Sequence, residues 1–102
     1  MKFYHRTKEF MQIIERGFKN EELKYQASKR YYGVCLTDRP LEIKDGGDEF
    51  KLLVIEIPED IITPFEWYDK TKPYREFIVP AELINSYERP RLYSAGDQQE
   101  NK

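Results

Sequence analysis

The apolar residues near the start of the chain predict a strand followed by a helix. Residues 2–7 form a short aromatic stretch that is typical of a brief strand. In residues 8–18 the apolar side chains recur about one helical turn apart, at Phe10, Ile13, Ile14 and Phe18. This spacing predicts an amphipathic helix that ends near Gly17, because glycine commonly follows the last turn of a helix.

Three later stretches are rich in apolar, aromatic and β-branched residues and predict buried strands. They cover residues 31–37, 50–57 and 74–79, and an aspartate or a proline follows each of them. The clearest turn, at residues 45–48, reads Asp-Gly-Gly-Asp and lies between the first two strands. Residues 61–68 are of mixed character, and residues 81–87 predict a last turn or a short strand.

Two segments are too polar to predict buried structure. Residues 19–30 are highly charged with few apolar positions, which predicts a solvated loop or loose helical turn at the edge of a pocket. Residues 91–102 predict a polar, disordered tail. The folded part is therefore expected to be one domain at residues 1–90.

Composition narrows the class of protein. A length of 102 residues allows one hydrophobic core, and the predicted elements indicate an α+β domain. The formal net charge of −2 supplies no field that would gather nucleic acid. No apolar run approaches the ~18 residues needed to cross a bilayer and no signal peptide is evident, which predicts a cytoplasmic protein without a membrane partner. One cysteine and one histidine exclude an internal disulfide and predict no metal site.

Residues 46–50, Gly-Gly-Asp-Glu-Phe, spell the signature of the diguanylate cyclases. Such a domain needs more chain on both sides of this hairpin than the sequence offers. A glycine-rich turn before an apolar strand is sufficient to explain these residues. We therefore expect a turn here and not a cyclase site.

Three single residues could carry chemistry, although each has a plain structural explanation. A lone histidine such as His5 is usually structural or exposed. Glu76 lies in an otherwise apolar strand, where it either pairs with Arg75 or Lys72 or is held for chemistry. Cys35 is best explained as a buried core residue, because no neighbouring base would generate its thiolate.

The order of three motifs changes this interpretation. They are Tyr4-His5-Arg6-Thr7, Gly33-Val34-Cys35-Leu36-Thr37-Asp38 and Arg75-Glu76-Phe77-Ile78-Val79, and a predicted helix that ends in Arg16-Gly17-Phe18 lies between the first two. In this order they resemble the ADP-ribosyltransferase fold, in the His-Tyr-Glu branch that includes the poly(ADP-ribose) polymerases and diphtheria-toxin-like enzymes. The resemblance covers about residues 1–87. It implies two small antiparallel sheets that flank an NAD cleft, with one or two short helices.

The resemblance also implies roles for residues of the first motif. His5 would bond the adenosine-side ribose of NAD, and the backbone of Arg6 would hold the nicotinamide amide. Arg6 stands where many members have glycine, so its guanidinium would point away, toward the pyrophosphate. The Thr7 hydroxyl would lie near the same ribose.

The resemblance implies that the second motif, which begins at Gly33, also contributes to NAD binding, with Gly33 itself among the cofactor-binding residues. Cys35 stands where the family has a tyrosine that stacks on nicotinamide. A thiol offers less stacking area, so Tyr32 or Tyr31 would have to supply it. Glu76 corresponds to the catalytic glutamate. Its carboxylate would stabilise the positive charge that builds on the ribose as the nicotinamide bond breaks, an effect worth about 10²–10³ in rate.

The implied activity is transfer of one ADP-ribose unit from NAD, with release of nicotinamide, as in a small toxin or phage effector. The acceptor is expected to be macromolecular, and a protein more than a nucleic acid. RNA 2′-phosphotransferase, which shares the fold, is disfavoured because its relatives bind the RNA phosphate with several basic residues, whereas this chain has a near-neutral charge balance and one histidine. Two alternatives stay open: a non-catalytic binding module of the same fold, and an interaction domain that uses Phe65, Trp67, Tyr68 and Tyr74 as anchors.

Overall fold

The computed structural model of the chain describes residues 1–25, 29–40, 50–68 and 70–94. It confirms a small α+β domain with an antiparallel sheet and a few short helices. The strands are β1 (Lys2–Thr7), β2 (Glu21–Tyr25), β3 (Lys29–Thr37), β4 (Lys51–Glu56), β5 (Glu66–Trp67), β6 (Glu76–Val79) and β7 (Arg91–Leu92). The helices are α1 (Phe10–Arg16), α2 (Glu59–Ile62) and α3 (Ala81–Asn85), and a single 3-10 turn covers Thr63–Phe65.

All strand pairs are antiparallel, and the sheet order is β5-β6-β3-β1-β4-β7, with β2 paired to β3. The central strand β1 pairs with β4 over its whole length, from Lys2 opposite Glu56 to Thr7 opposite Lys51. The strands of the described residues thus form one connected sheet. The expectation of two sheets that flank a cleft is wrong for the described residues, because β6 pairs with β3 and thereby belongs to the same sheet as β1 and β4.

The two faces of the sheet differ in what covers them. On one face, alternate residues of β1, β3, β4 and β6 join the core together with side chains from the helices. The sheet contributes Phe3, Val34, Leu36, Leu53, Ile55, Phe77 and Val79, and the helices contribute Ile13, Ile62, Ala81 and Ile84. We call this side the helical face. Side chains of the intervening positions, such as Tyr4, Thr37, Val54 and Glu76, lie on the second face and are also buried.

Several local predictions needed correction. Residues 19–30 contain β2 and the start of β3; the strand was missed because Glu21 and Glu22 are both exposed and leave no apolar alternation. Residues 81–87 begin with a helix, α3, in place of a turn or strand. The ordered domain also extends beyond residue 90, since β7 pairs with β4 and the Tyr93 amide donates to the Leu52 carbonyl. The predicted turn at 45–48 and the tail from 95 onward lie outside the described residues.

No helix in the described part of the chain has the length and apolar character needed to cross a membrane.

Candidate functional site

A cavity of about 310 Å³ lies on the helical face, between the end of β1 and the segment that follows α1. It is lined by His5, Glu9, Gln12, Ile13, Arg16, Gly17, Phe18, Lys19, Asn20, Glu21 and Val34. The volume is at the lower end of the range for small-molecule sites. We call it the His5 cavity.

The His5 imidazole is held in one tautomer. Its Nδ1 lies 2.8 Å from the carbonyl oxygen of Cys35, and a carbonyl can only accept, so Nδ1 carries the proton and donates. The ring also packs edge to face on Phe18, with centroids 5.4 Å apart. In the neutral ring Nε2 therefore keeps its lone pair, and no described residue is its hydrogen-bond partner. His5 thus offers the cavity a fixed acceptor.

Burial lowers the pKa of His5 below the ordinary value of 6.5, against the smaller opposing effects of the Cys35 hydrogen bond and Glu21. Between the lowered pKa and 6.5 the unfolded chain binds more protons than the folded chain, so stability falls as the pH falls through this range. We expect urea unfolding between about pH 7.5 and about pH 5 to show this loss, with a slope of at most about 1.4 kcal/mol per pH unit. His5→Asn keeps an N–H for the Cys35 carbonyl but has no titrating group, so this variant should lose most of the pH dependence of its unfolding free energy.

A carboxylate whose pKa is lowered by folding cannot produce this loss of stability above about pH 5. The pKa of Glu66 is lowered by its hydrogen bonds from Arg75, so the stability it provides is present above 4.5 and is lost only below that value. An equal slope in the wild type and in His5→Asn above pH 5 would contradict a lowered pKa of His5 in the folded chain.

Three side-chain hydrogen bonds fix the rim of the cavity that follows α1. The Asn85 amide bridges both backbone groups of Phe18, with its Oδ1 accepting at 2.8 Å and its Nδ2 donating at 3.0 Å. The Asn20 Oδ1 accepts from the Ala81 amide at 2.8 Å. Gly17 has a φ of 92°, and a Cβ there would lie 3.0 Å from the Asn85 Oδ1. The rim is therefore preorganised by α3.

The rim carries charges of both signs. Arg16 and Lys19 have no ion-pair partner in the described part of the chain, and Glu9 and Glu21 lie on the same rim. We did not predict these residues as site residues. The helical spacing of Glu9, Gln12 and Arg16 could have placed them beside Ile13, whereas nothing in the sequence indicates that Asn20 approaches Ala81.

Glu76 lies on the second face, in a different environment. Its side chain is buried, and its contacts include those with Lys72, whose Nζ lies 2.8 Å from Oε1, and Cys35, whose Sγ lies 3.6 Å from Oε2. The structure thus brings together Cys35 and Glu76, two of the predicted site residues. Both carboxylate oxygens have a protein partner.

His5 and Glu76 lie on opposite faces of the sheet. His5 lies two residues after Phe3 on β1, so both side chains are on the helical face. The antiparallel register places His5 opposite Leu53, which is also on that face. Glu76 pairs with Thr37, which follows the core residue Leu36 directly, so Thr37 and Glu76 lie on the second face. Cys35 touches both only because its carbonyl binds His5 and its thiol contacts Glu76. The backbone of the sheet therefore separates His5 from Glu76, the two side chains that were predicted to act on NAD.

The other predicted site residues are dispersed. Arg6 is exposed, with its guanidinium carbon 4.4 Å above the Phe50 ring, and the Thr7 hydroxyl accepts from the Glu9 amide at 2.9 Å. Tyr32 is 70% exposed and does not line the His5 cavity. A Cβ at Gly33 would lie 3.0 Å from the Val79 carbonyl oxygen, so this glycine is required for strand packing.

No family model, curated protein or solved structure matches this chain. The resemblance to ADP-ribosyltransferases therefore depends on the three sequence motifs alone. Within the described residues, no three side chains of His, Cys, Asp or Glu are grouped so that they could hold a metal ion.

Proposed function

We propose that the chain is a non-catalytic nucleotide-binding module that takes the adenosine-side ribose of NAD, or of ADP-ribose, in the His5 cavity. The observation that carries this proposal is the fixed tautomer of His5. A ribose hydroxyl is a hydrogen-bond donor, and the Nε2 atom is an oriented acceptor in a cavity of suitable size. The ligand would thus bind an acceptor to which no described residue donates a hydrogen bond.

The other residues that line the cavity suit the remaining groups of a dinucleotide. Arg16 and Lys19, which no described residue pairs, suit a pyrophosphate, because charge-assisted hydrogen bonds to phosphate oxygens are strong. Glu9 and Glu21 can accept hydrogen bonds from further ribose hydroxyls. The apolar wall of the cavity, formed by Ile13, Phe18 and Val34, suits a base. The cavity volume fits one nucleoside, so the second half of NAD would lie outside it.

Mono-ADP-ribosyltransferase activity is the second candidate. Glu76 favours it, since a buried carboxylate on an apolar strand is the group that the reaction requires. To act on NAD bound at His5, however, Glu76 would have to reach around the sheet and exchange its contacts with Lys72 and Cys35. The arrangement therefore favours binding without transfer.

Isothermal titration of NAD tests the proposal. We expect His5→Asn to weaken NAD binding about tenfold, because it removes the Nε2 acceptor and keeps the donor to Cys35. Glu76→Gln is the matched control, since it is nearly isosteric and lies on the other face, and it should bind NAD as the wild type does. The double variant Arg16→Ala/Lys19→Ala should weaken NAD more than adenosine.

The transferase candidate is tested by nicotinamide release in the same samples. Release that is present in the wild type and lost in Glu76→Gln would establish turnover and overturn the non-catalytic proposal. Equal NAD binding by the wild type and His5→Asn would overturn the proposed site.

A further inference from the structure

A second depression, open and about 580 Å³ in volume, lies between the end of β3 and the chain that joins β5 to β6. It is lined by Asp38, Arg39, Glu66, Trp67, Tyr68, Lys70, Lys72, Pro73, Tyr74 and Arg75. Four of these side chains are cationic and two are anionic, whereas the whole chain has a net charge of −2. We call this region the Tyr68 groove; because carboxylates pair with some of its cations, only the unpaired cations can serve a partner.

The cations of the groove fall into two classes. Arg75 forms ion pairs with Glu59 and Glu66, and Lys72 pairs with Glu76. Arg39 and Lys70 are exposed and have no ion-pair partner among the residues that the structure describes. These two side chains line the groove and are therefore available to an anionic partner.

Hydrogen bonds join the two walls. The Asp38 carboxylate accepts from the Arg75 amide at 2.9 Å, and the Asp38 amide donates to the Arg75 carbonyl at 3.2 Å. The Arg75 guanidinium binds both oxygens of Glu66, at 2.8 and 3.2 Å. Because these contacts hold β3 against the β5–β6 connection, the groove does not have to form when a partner binds.

Aromatic rings lie among these charges. Tyr68 is 83% exposed, and Tyr74 lies on the same groove. The Trp67 ring packs edge to face with the Tyr31 ring, with centroids 4.7 Å apart. Because it is exposed, Tyr68 contributes almost nothing to the hydrophobic core. An exposed ring beside available cations is the combination that stacks on bases while neighbouring phosphates are neutralised.

We propose that the Tyr68 groove binds single-stranded nucleic acid, with a base stacked on Tyr68 and phosphates bound by Arg39 and Lys70. An acidic protein segment would use the cations but has less need for an exposed ring, so the aromatic content favours a nucleic acid. The groove is separate from the His5 cavity and shares no lining residue with it. Binding is short-range, because the chain as a whole is slightly negative.

Fluorescence anisotropy with a labelled oligothymidylate of about 12 nucleotides tests the proposal on the full chain. Tyr68→Ala should weaken binding about tenfold, since it removes one stacking platform. Arg39→Ala/Lys70→Ala should weaken binding and remove most of its salt dependence. With about two phosphates neutralised, the wild type should bind about sevenfold more weakly at about 200 mM than at about 50 mM salt.

Two matched controls lie outside the groove. Tyr32→Ala removes another exposed tyrosine, and Lys51→Ala removes another exposed lysine; both should bind the oligonucleotide as the wild type does. Absence of binding at about 100 μM protein and low salt would overturn the proposal. Equal losses in the controls and the groove variants would do so as well. Displacement of the oligonucleotide by polyglutamate, with no effect of Tyr68→Ala, would assign the groove to an acidic protein.

Discussion

Phe77→Ala is expected to lower the free energy of unfolding by about 3–5 kcal/mol, because it truncates a large aromatic side chain in the core. Phe77 lies on β6 with none of its side chain exposed, and its ring packs edge to face on Phe3 at 5.2 Å. Alanine would leave a cavity at the point where β6 joins the helical face. Since small domains have a total stability of about 5–15 kcal/mol, much of the margin would be lost. Urea unfolding followed by circular dichroism measures the change.

Tyr68→Ala is the matched control for this measurement. It removes an aromatic ring that is almost fully exposed, so its unfolding free energy should stay within about 0.5 kcal/mol of the wild type. A loss below about 1 kcal/mol in Phe77→Ala would contradict the placement of β6 in the core. It would also remove the reason for placing Glu76, the preceding residue, on the second face.

Gly33→Ala is expected to cost about 1–3 kcal/mol of stability while leaving the NAD affinity of the folded protein unchanged. A Cβ at this position would lie 3.0 Å from the Val79 carbonyl oxygen and 3.0 Å from the Ile78 Cγ2. The side chain of Ile78 can move, but the backbone of Val79 is held in the sheet by its pairing with Val34. The new methyl group would therefore push β3 and β6 apart. Chemical unfolding gives the stability and isothermal titration gives the affinity.

The same variant separates two explanations of this glycine. The family resemblance implies that Gly33 contributes to the NAD site, whereas the structure gives it a packing role outside the His5 cavity. Normal stability combined with lost NAD binding would contradict the packing role and favour the site implied by the resemblance.

The sequence predicted those elements whose residues bury apolar surface. The runs that became β3, β4 and β6 are bounded by turn residues, and the spacing of Phe10, Ile13 and Ile14 predicted α1. The strand β2 escaped prediction because it pairs with β3 alone and exposes its glutamates, so burial left no pattern in its residues.

The candidate site depended on information that is not local. Alternation along β1 and β6 shows which neighbours share a face, but it cannot show whether His5 and Glu76 do. That depends on strand order and register, and a shift of one residue would move a side chain to the other face. The rim is equally non-local, because Asn85 binds Phe18 across 67 positions of sequence.

Chemical-shift mapping by two-dimensional ¹H–¹⁵N NMR, with NAD added to the wild-type protein, tests the central claim most directly. We expect the largest amide shifts at His5 and at residues 17–21, and little change at Lys72 and Glu76. Shifts centred on Lys72 and Glu76 would contradict the claim and return the carboxylate to the NAD site. Absence of shifts at about 5 mM NAD would contradict nucleotide binding at the His5 cavity.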